Sequence, residues 1–233
     1  MITRRALIAT ASAATLTACT SPAAVTRRAP VEEPAAPPAP VPPGYGAITD
    51  EPFPVPAVPP GVVDPKLFRT EVQNPYPDEP AGTIIIEPDN AFLYLVQGEG
   101  RAMRYGVGLG AAGFSWAGVA KMQYRRKWPK WTPPDSMIER RPEFAPYSAA
   151  NGGMPGGPGN PLGARALYLF QDGKDTLYRI HGACEPQYLG KFVSSGCVRL
   201  LDQDAIDLYD RATDGAKVIV QPSQKANRFG VVY

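Results

Sequence analysis

The segment Ser194-Ser195-Gly196-Cys197-Val198-Arg199-Leu200 is the most specific stretch of the chain and decides its predicted fold. Its cysteine follows a glycine, and the chain's one histidine, His181, lies upstream and is followed by Gly182. A cysteine attacks a carbonyl as its thiolate, and a neighbouring imidazole is a common base for forming it. A glycine before the cysteine permits a tight turn whose N–H groups can face an oxyanion. The pattern predicts a catalytic cysteine–histidine pair, although taken alone it also fits a histidine packed for structural reasons.

The wider pattern resembles the active-site signature of the L,D-transpeptidase catalytic domain, the YkuD-type family. That signature is a His-Gly pair, here His181 and Gly182, followed by Ser-x-Gly-Cys-Val-Arg-Leu at residues 194–200. Three further blocks resemble the ErfK/YbiS-like branch of the family: Phe114–Gly118, Lys127–Pro134 and Asn160–Leu167. The resemblance covers roughly residues 83–222. It implies a mainly β domain with a few short helices, whose mixed, mostly antiparallel sheets place the catalytic cysteine in a cleft.

The resemblance implies a role for each residue of the motif. Cys197 would attack the carbonyl of the third residue of a peptidoglycan tetrapeptide stem, releasing D-alanine and leaving a thioester on the cysteine. His181 would act first as base and then as acid, and the backbone carbonyl of Gly182 would orient its ring. The backbone N–H groups of Ser195, Gly196 and Cys197 would form the oxyanion hole.

Substrate contacts are implied for three more side chains. Arg199 would hold the active-site loop or meet a substrate carboxylate, while Trp128 and Trp131 would line the cleft or, alternatively, pack in the core or a lid. An amine of a second stem, or of a protein that becomes attached to the wall, would resolve the thioester. The implied enzyme is a cysteine acyltransferase of the cell wall that joins donor and acceptor stems in 3-3 cross-links and uses no metal or organic cofactor.

The motif leaves two other functions open. A hydrolase or amidase of the same family would form the same acyl-enzyme and resolve it with water, which would trim stems or release wall-linked protein. A wall-binding protein on a retired enzyme scaffold is the third reading, and the intact Cys197, His181 and Arg199 argue against it.

Cys184 is where the sequence departs from the branch, since relatives commonly have threonine or another small polar residue after His-Gly. A free cysteine is most often a small buried residue, whereas an even pair in an exported chain suggests a disulfide. A disulfide between Cys184 and Cys197 would silence the enzyme until it is reduced. A structural zinc site normally has four ligands, and the two cysteines with His181 supply three, so no metal site is predicted.

The N-terminus predicts export. Arg4 and Arg5 precede an uncharged stretch rich in Ala, Leu and Ile, which together with Leu16-Thr17-Ala18-Cys19 fits a signal peptide over residues 1–19 that ends in a lipobox. Acylation of Cys19 would anchor the protein to a membrane at the periplasmic face of the envelope; an ordinary secretory signal without lipidation is the alternative. The paired arginines also resemble a twin-arginine signal. Residue 20 is threonine rather than the aspartate that favours retention in the inner membrane. The sequence therefore favours the outer membrane.

Composition sets the domain boundaries. Proline, with 28 residues, is most concentrated in the first third, and residues 20–60 are predicted to be a disordered Pro/Ala-rich tether because they offer few N–H donors and little core. An irregular lead-in over 61–82, the catalytic domain over 83–222 and a tail over 223–233 would follow. The formal net charge of +2 falls to zero without the two arginines of the signal. A neutral protein has no electrostatic basis for binding nucleic acid.

Patterning predicts the main elements of the domain. Apolar runs bounded by turn residues predict strands, and an apolar stripe at helical spacing predicts one clear helix. The strands are Thr83–Glu87, Ala91–Val96, Ala166–Phe170, Tyr178–His181 and Lys217–Val220, and the helix is Asp202–Ala212.

Overall fold

The computed structural model describes residues 40–110, 117–194 and 196–223. Several predicted features lie outside the described residues: the signal peptide with Cys19, the tether as far as residue 39, most of the Phe114–Gly118 block, Ser195, and the tail beyond residue 223. Within the described residues, no helix is both long and apolar enough to cross a membrane.

The described residues form eleven strands, two α-helices and several short 3-10 turns. The strands are β1 (Thr70–Gln73), β2 (Ile84–Glu87), β3 (Phe92–Val96), β4 (Arg101–Gly106), β5 (Leu109–Gly110), β6 (Gly118–Lys127), β7 (Arg165–Gln171), β8 (Lys174–His181), β9 (Phe192–Ser194), β10 (Val198–Arg199) and β11 (Lys217–Val220). The helices are α1 (Asp135–Arg140) and α2 (Asp202–Arg211). The 3-10 turns are Pro65–Leu67, Pro88–Asn90, Pro142–Tyr147 and Pro186–Tyr188.

One large mixed sheet forms the centre of the domain. Its strand order is β1-β4-β3-β2-β11-β6-β7-β8-β10, and β5 and β9 form a second, two-stranded sheet. Most neighbours in the large sheet are antiparallel, but β11 pairs with β2 and β10 pairs with β8 in parallel. The predicted fold class, mainly β with mixed and mostly antiparallel pairing and few short helices, is confirmed.

The hydrophobic core lies between this sheet and α2. The helix contributes Ala205 and Leu208 from its apolar side, as the stripe predicts. The strand residues that are almost fully buried in this core include Ile84, Ile86, Leu93, Leu167, Leu169 and Ile180. Full burial of one such side chain contributes about 1.5–3 kcal/mol. The core therefore holds α2 firmly in place, directly after the cysteine motif.

The opposite face of the sheet carries ionisable residues near its β8–β10 edge. Residues paired directly across neighbouring strands share a face, and the register aligns Ala166 of β7 with His181 of β8 and Arg199 of β10. The β6–β7 connection packs on this face, where Trp131 and Leu162 form a cluster with Ala166. The face that bears His181 is therefore partly covered by that connection.

Residues 40–69, here called the strap, run across the domain before β1. The sequence predicts a disordered tether as far as residue 60, but from residue 40 the chain is folded onto the domain. Tyr45 is 1% exposed, and Ile48 and Val55 pair their backbones in a short hairpin. Prolines prevent a helix or a sheet within the strap, yet the apolar side chains between them still dock on the domain. Composition alone does not reveal such docking, which is why the predicted boundary is wrong.

Two polar clusters fasten the strap. In the first, the Tyr45 hydroxyl donates to Asp204 Oδ1 at 2.7 Å, and Arg69 forms an ion pair with the same oxygen at 3.2 Å. In the second, Glu51 accepts from Trp128 Nε1 at 2.8 Å and pairs with the buried Arg165. Since Asp204 lies on α2, the strap packs against the helix that follows the cysteine motif.

Candidate active site

Strands β8 and β10 bring the predicted base and nucleophile together. His181 is the last residue of β8, and Cys197 immediately precedes β10. The parallel register aligns Arg199 with His181, so Cys197 lies at the level of Arg179. Because alternate residues of a strand share a face, these four side chains lie on the same side of the sheet. The Leu200 N–H donates to the His181 carbonyl at 2.8 Å and continues the register past the end of β10.

The imidazole of His181 is buried and held at one nitrogen. Its Nδ1 lies 2.8 Å from the carbonyl oxygen of Gly182. A carbonyl only accepts, so Nδ1 carries the proton and Nε2 keeps a lone pair. Burial lowers the pKa of His181 to about 4, and the positive charges of Arg199 and Arg179 act in the same direction. The ring is therefore neutral at pH 7 and able to take up a proton.

Cys197 is a partly exposed cysteine that forms no disulfide in this structure. Burial raises the pKa of its thiol, while the backbone N–H of Arg179 and the charges of Arg179 and Arg199 act against that shift. The net shift is upward, so the resting pair consists of a thiol and a neutral imidazole. Formation of the thiolate then coincides with proton transfer to the base.

The turn before the cysteine depends on a glycine. Gly196 has a φ of 135°, a backbone conformation that strains any residue with a Cβ. The implied oxyanion hole consists of the N–H groups of Gly196, Cys197 and Ser195. Since Ser195 lies outside the described residues, the hole stays a prediction.

Two arginines flank the pair of Cys197 and His181. Arg199 belongs to the sequence motif, and Arg179 does not. Arg199 is held by two backbone hydrogen bonds to Gly108, each 2.8 Å long. Arg179 lies with its guanidinium 4.3 Å from the ring centre of Tyr168 and pairs with Asp175 at 2.7 Å. Its position two residues before His181, hence on the same face of the strand, is the signal that could have identified it. Both charges favour the thiolate form of the nucleophile.

Both predicted cleft tryptophans make packing contacts. Trp131 is 9% exposed and packs edge-on against Phe144, with ring centres 5.1 Å apart. Trp128 donates to Glu51 of the strap and packs edge-on against Phe53 at 5.0 Å. These contacts correspond to the packing alternative, and a substrate contact for either ring stays a prediction.

Cys184 packs in an apolar cluster with Leu189 and Leu201. No disulfide joins Cys184 to Cys197 in this structure. The Cys184 thiol lies 3.7 Å from the carbonyl oxygen of Glu185, and burial raises its pKa to about 12. Over the described ranges, no group of three or more His, Cys, Asp or Glu side chains is arranged to hold a metal ion.

Asp202 supports the site, although the sequence predicts it only as the first residue of a helix. Its Oδ1 accepts from the N–H of Ala164 at 2.8 Å and from the N–H of Ala183 at 3.1 Å. Ala183 follows Gly182, whose carbonyl holds the ring of His181. An acidic residue at a helix start usually interacts with that helix's own N–H groups, so the sequence carries no signal for these distant partners.

Comparisons with known proteins give a family profile and several relatives. The profile of the L,D-transpeptidase catalytic domain, YkuD, matches residues 81–220. The probable L,D-transpeptidase YbiS of Escherichia coli K12 is 31% identical over 142 residues, which cover 59% of this chain and 43% of that protein. The probable L,D-transpeptidase YcfS of the same organism is 31% identical over 157 residues, which cover 65% and 48%. The chain thus spans about half the length of these curated relatives.

A solved structure is also similar. It is described as a probable carnitine operon oxidoreductase from Brucella melitensis and is 44% identical in sequence. The match covers 68% of this chain and 96% of that chain, with a TM-score of 0.47.

Proposed function

This chain belongs to the family of L,D-transpeptidase catalytic domains, and from that premise we propose that it joins peptidoglycan stems in 3-3 cross-links through a thioester on Cys197. The observation that carries the proposal is the parallel pairing of β8 with β10, which aligns Arg199 with His181 and puts Cys197, two residues earlier, on the same face of the sheet as the neutral imidazole. A nucleophile, a base and a group that orients the base are what acyl transfer through a covalent intermediate requires.

The first half-reaction forms the acyl-enzyme. The sulfur of Cys197 attacks the carbonyl carbon of the third residue of a donor tetrapeptide, and its proton passes to Nε2 of His181. The oxyanion is met by the N–H groups of Ser195, Gly196 and Cys197. As the C–N bond breaks, the imidazolium returns the proton to the leaving amine of D-alanine, and a thioester remains on the sulfur.

The second half-reaction transfers the acyl group. An amine of an acceptor stem attacks the thioester carbonyl and gives a proton to Nε2 of His181. The C–S bond then breaks, the new amide is released, and the proton returns to the sulfur of Cys197. No redox step and no metal enters this scheme, which conserves one proton and one acyl group over the cycle.

The surroundings of His181 suit both of its duties. Since burial and the charge of Arg199 disfavour the protonated ring, the imidazolium is short-lived and gives up its proton readily to the leaving amine. The Gly182 carbonyl stabilises the same cation at Nδ1. The ring therefore alternates between base and acid without a change of orientation.

Two features of the N-terminal sequence support our proposal that the enzyme works in the cell envelope. The signal peptide and lipobox of residues 1–19 support export and acylation of Cys19, with the membrane as the resulting partner and the outer membrane as the favoured one.

We propose Arg199 as the contact for a substrate carboxylate. Its alignment with His181 in the β8–β10 register supports this role.

The test is a reaction of the full-length protein with purified disaccharide-tetrapeptide muropeptides, followed by mass spectrometry. We expect cross-linked dimers whose mass shows the loss of one D-alanine per link. We also expect a transient increase in the mass of the protein that corresponds to the acyl group bound to Cys197. Cys197→Ala should abolish both products. Cys184→Ala is the matched control, because Cys184 packs in an apolar cluster with Leu189 and Leu201, and it should retain them.

Other products would change the assignment in defined ways. Tripeptide without dimers would mean that water resolves the thioester, which is the hydrolase alternative. Transfer only to an added protein amine would mean attachment of protein to the wall. Absence of any product from a folded wild-type protein would overturn the proposed chemistry.

A further inference from the structure

One peptide group connects a buried carboxylate to the ring of His181. The carbonyl of Gly182 contacts His181 Nδ1 at 2.8 Å. The N–H of that same peptide group belongs to Ala183, and it donates to Asp202 Oδ1 at 3.1 Å. The carboxylate, the peptide and the imidazole therefore form a continuous chain of hydrogen bonds. In other acid–base triads a carboxylate contacts the histidine directly, whereas here a peptide group lies between them.

We propose that Asp202 is a positioning residue of this active site, which acts through the Gly182–Ala183 peptide to fix the tautomer and orientation of His181. This inference rests on the proposed function in one respect, namely that His181 is the catalytic base. The hydrogen-bond chain itself does not depend on the identity of the substrate.

The space around the carboxylate is closely fitted. A Cβ built on Gly182 would lie 2.0 Å from Asp202 Oδ1, and one built on Gly163 would lie 2.4 Å from the same oxygen. No side chain fits at either position, so the two glycines let the carboxylate reach the backbone. If Asp202 turned away, the N–H groups of Ala164 and Ala183 would lose their acceptor, which is costly in a buried site.

The peptide that Asp202 holds adopts an uncommon conformation. Ala183 has a φ of 56°, in the left-handed region that residues with a Cβ seldom occupy. Such a conformation persists where surrounding contacts enforce it, and it often occurs at functional sites. The bond from the Ala183 N–H to Asp202 is one such contact, and it keeps the Gly182 carbonyl directed at the ring.

The carboxylate also affects the strength of the bond to the ring. A group that accepts from a peptide N–H polarises the peptide and adds negative charge to its carbonyl oxygen. The Gly182 oxygen then holds Nδ1–H more firmly and stabilises the imidazolium that forms during catalysis. This effect opposes burial and the charge of Arg199, which both disfavour the protonated ring.

The second bond of Asp202 reaches the connection that covers the catalytic face. Ala164 donates to the carboxylate at 2.8 Å, and its carbonyl accepts from the N–H of Trp128 at 2.8 Å. Trp128 and Ala164 mark the two ends of the β6–β7 connection. One carboxylate therefore braces both the histidine turn and the base of the segment above it.

Nuclear magnetic resonance of the ring nitrogens tests the proposal without any substrate. The chain contains one histidine, so the full-length protein labelled with nitrogen-15 histidine gives signals from His181 alone. At pH 7 the wild type should show a protonated Nδ1 and an unprotonated Nε2. In Asp202→Ala the Nε2–H tautomer should become populated, because the carbonyl is no longer held in place.

Two further variants separate a specific effect from general damage. Asp202→Asn keeps an oxygen acceptor but removes the charge, so the tautomer should persist while the Nδ1–H proton signal moves upfield. Asp204→Asn changes another buried aspartate of the same helix, which contacts Tyr45 and Arg69 rather than the histidine turn. Its ring signals should match those of the wild type. If Asp202→Ala fails to fold, the shift of the Nδ1–H proton signal in Asp202→Asn still tests the proposal.

Turnover gives the second readout. We expect kcat to fall on the order of 10²-fold in Asp202→Ala, as displacement of a catalytic group does, with KM little changed. Asp202→Asn should recover part of that loss. Unaltered ring signals in both Asp202 variants, or equal changes in Asp204→Asn, would overturn the proposal. If no variant and no wild-type protein turned over stems, the ring signals would still decide the role of Asp202, whereas the proposed function would fail.

Discussion

The two faces of the β8–β10 pair differ sharply although their residues alternate along the same short strands. Ile180 and Val198 point into the core beneath α2, whereas His181 and Arg199 lie on the other face and are aligned with each other. One face is apolar and closely packed, and the other carries the proposed acid–base, His181, and the charged Arg199. The difference shows how the backbone of the site is held in place: Ile180 and Val198, which pack in the core, are the sequence neighbours of His181 and Arg199.

The largest effect should come from the catalytic face. We expect His181→Asn to lower kcat by about 10²- to 10⁴-fold, since the loss of a general acid–base has that magnitude, while the protein remains folded. Muropeptide turnover and a thermal unfolding curve measure the two quantities together. A variant that unfolded in step with its loss of activity would show that the two faces are not separable in this way.

The neighbouring core residue should behave in the opposite manner. Ile180 is fully buried, and Ile180→Ala should reduce the free energy of unfolding by about 2–5 kcal/mol through lost transfer energy and the cavity left behind. Turnover per folded molecule should remain within a few-fold of the wild type at a temperature where the variant is folded. Denaturant unfolding with parallel turnover checks this, and a stable but inactive variant would contradict the comparison.

The pH dependence of stability should reveal the catalytic face as well. Burial lowers the pKa of His181 from 6.5 to about 4, so between these values the unfolded chain binds a proton that the folded protein does not. Stability should therefore fall as the pH falls through this window, by at most about 3 kcal/mol. The unfolding free energies of wild type and His181→Asn are measured over a series of pH values, and their difference at each pH isolates the contribution of His181.

A control of opposite sign comes from the helix that covers the core. Burial raises the pKa of Asp204 to about 7, so its contribution to stability is fully present below its unfolded pKa and is lost as the pH rises towards 7. Asp204→Asn should remove that trend and leave the His181 slope intact. If the unfolding free energies of both variants changed with pH as that of the wild type does, neither His181 nor Asp204 would be the source of the pH dependence.

The smallest effect should come from the strap. Tyr45→Phe removes the hydroxyl that donates to Asp204 and should reduce the free energy of unfolding by about 1 kcal/mol. Because the Tyr45 contact lies on the α2 side of the domain, kcat should stay unchanged. Unfolding and turnover assays of the full-length variant check both expectations, and a fall in kcat would tie the strap to the catalytic face.

The sequence predicts what depends on local patterns. The apolar run at Ile84–Ile86 predicts β2, the stripe through Ala205 and Leu208 predicts α2, and the cysteine motif with His181 identifies the family. Each of these signals lies within a few neighbouring positions. The sheet order could not be obtained in that way, because β11 enters the sheet between β2 and β6.

Support for the site depends on contacts between distant residues. Asp202 meets the N–H of Ala164, and Tyr45 meets Asp204, yet nothing near either residue in sequence indicates its partner. Trp131, which the sequence predicts to line the cleft or to pack, packs against Phe144 of a distant segment. Single-sequence reasoning therefore proposed the reacting groups and missed the groups that contact them from a distance.

The strap has a mechanical consequence if the protein is anchored through Cys19, as proposed. The chain enters the described domain at residue 40 and is fastened through Tyr45 and Glu51 before it reaches β1. A pull from the N-terminal side therefore acts on these fastenings before it acts on β1. The load then reaches the domain at α2 and at the start of β7, through Asp204 and Arg165.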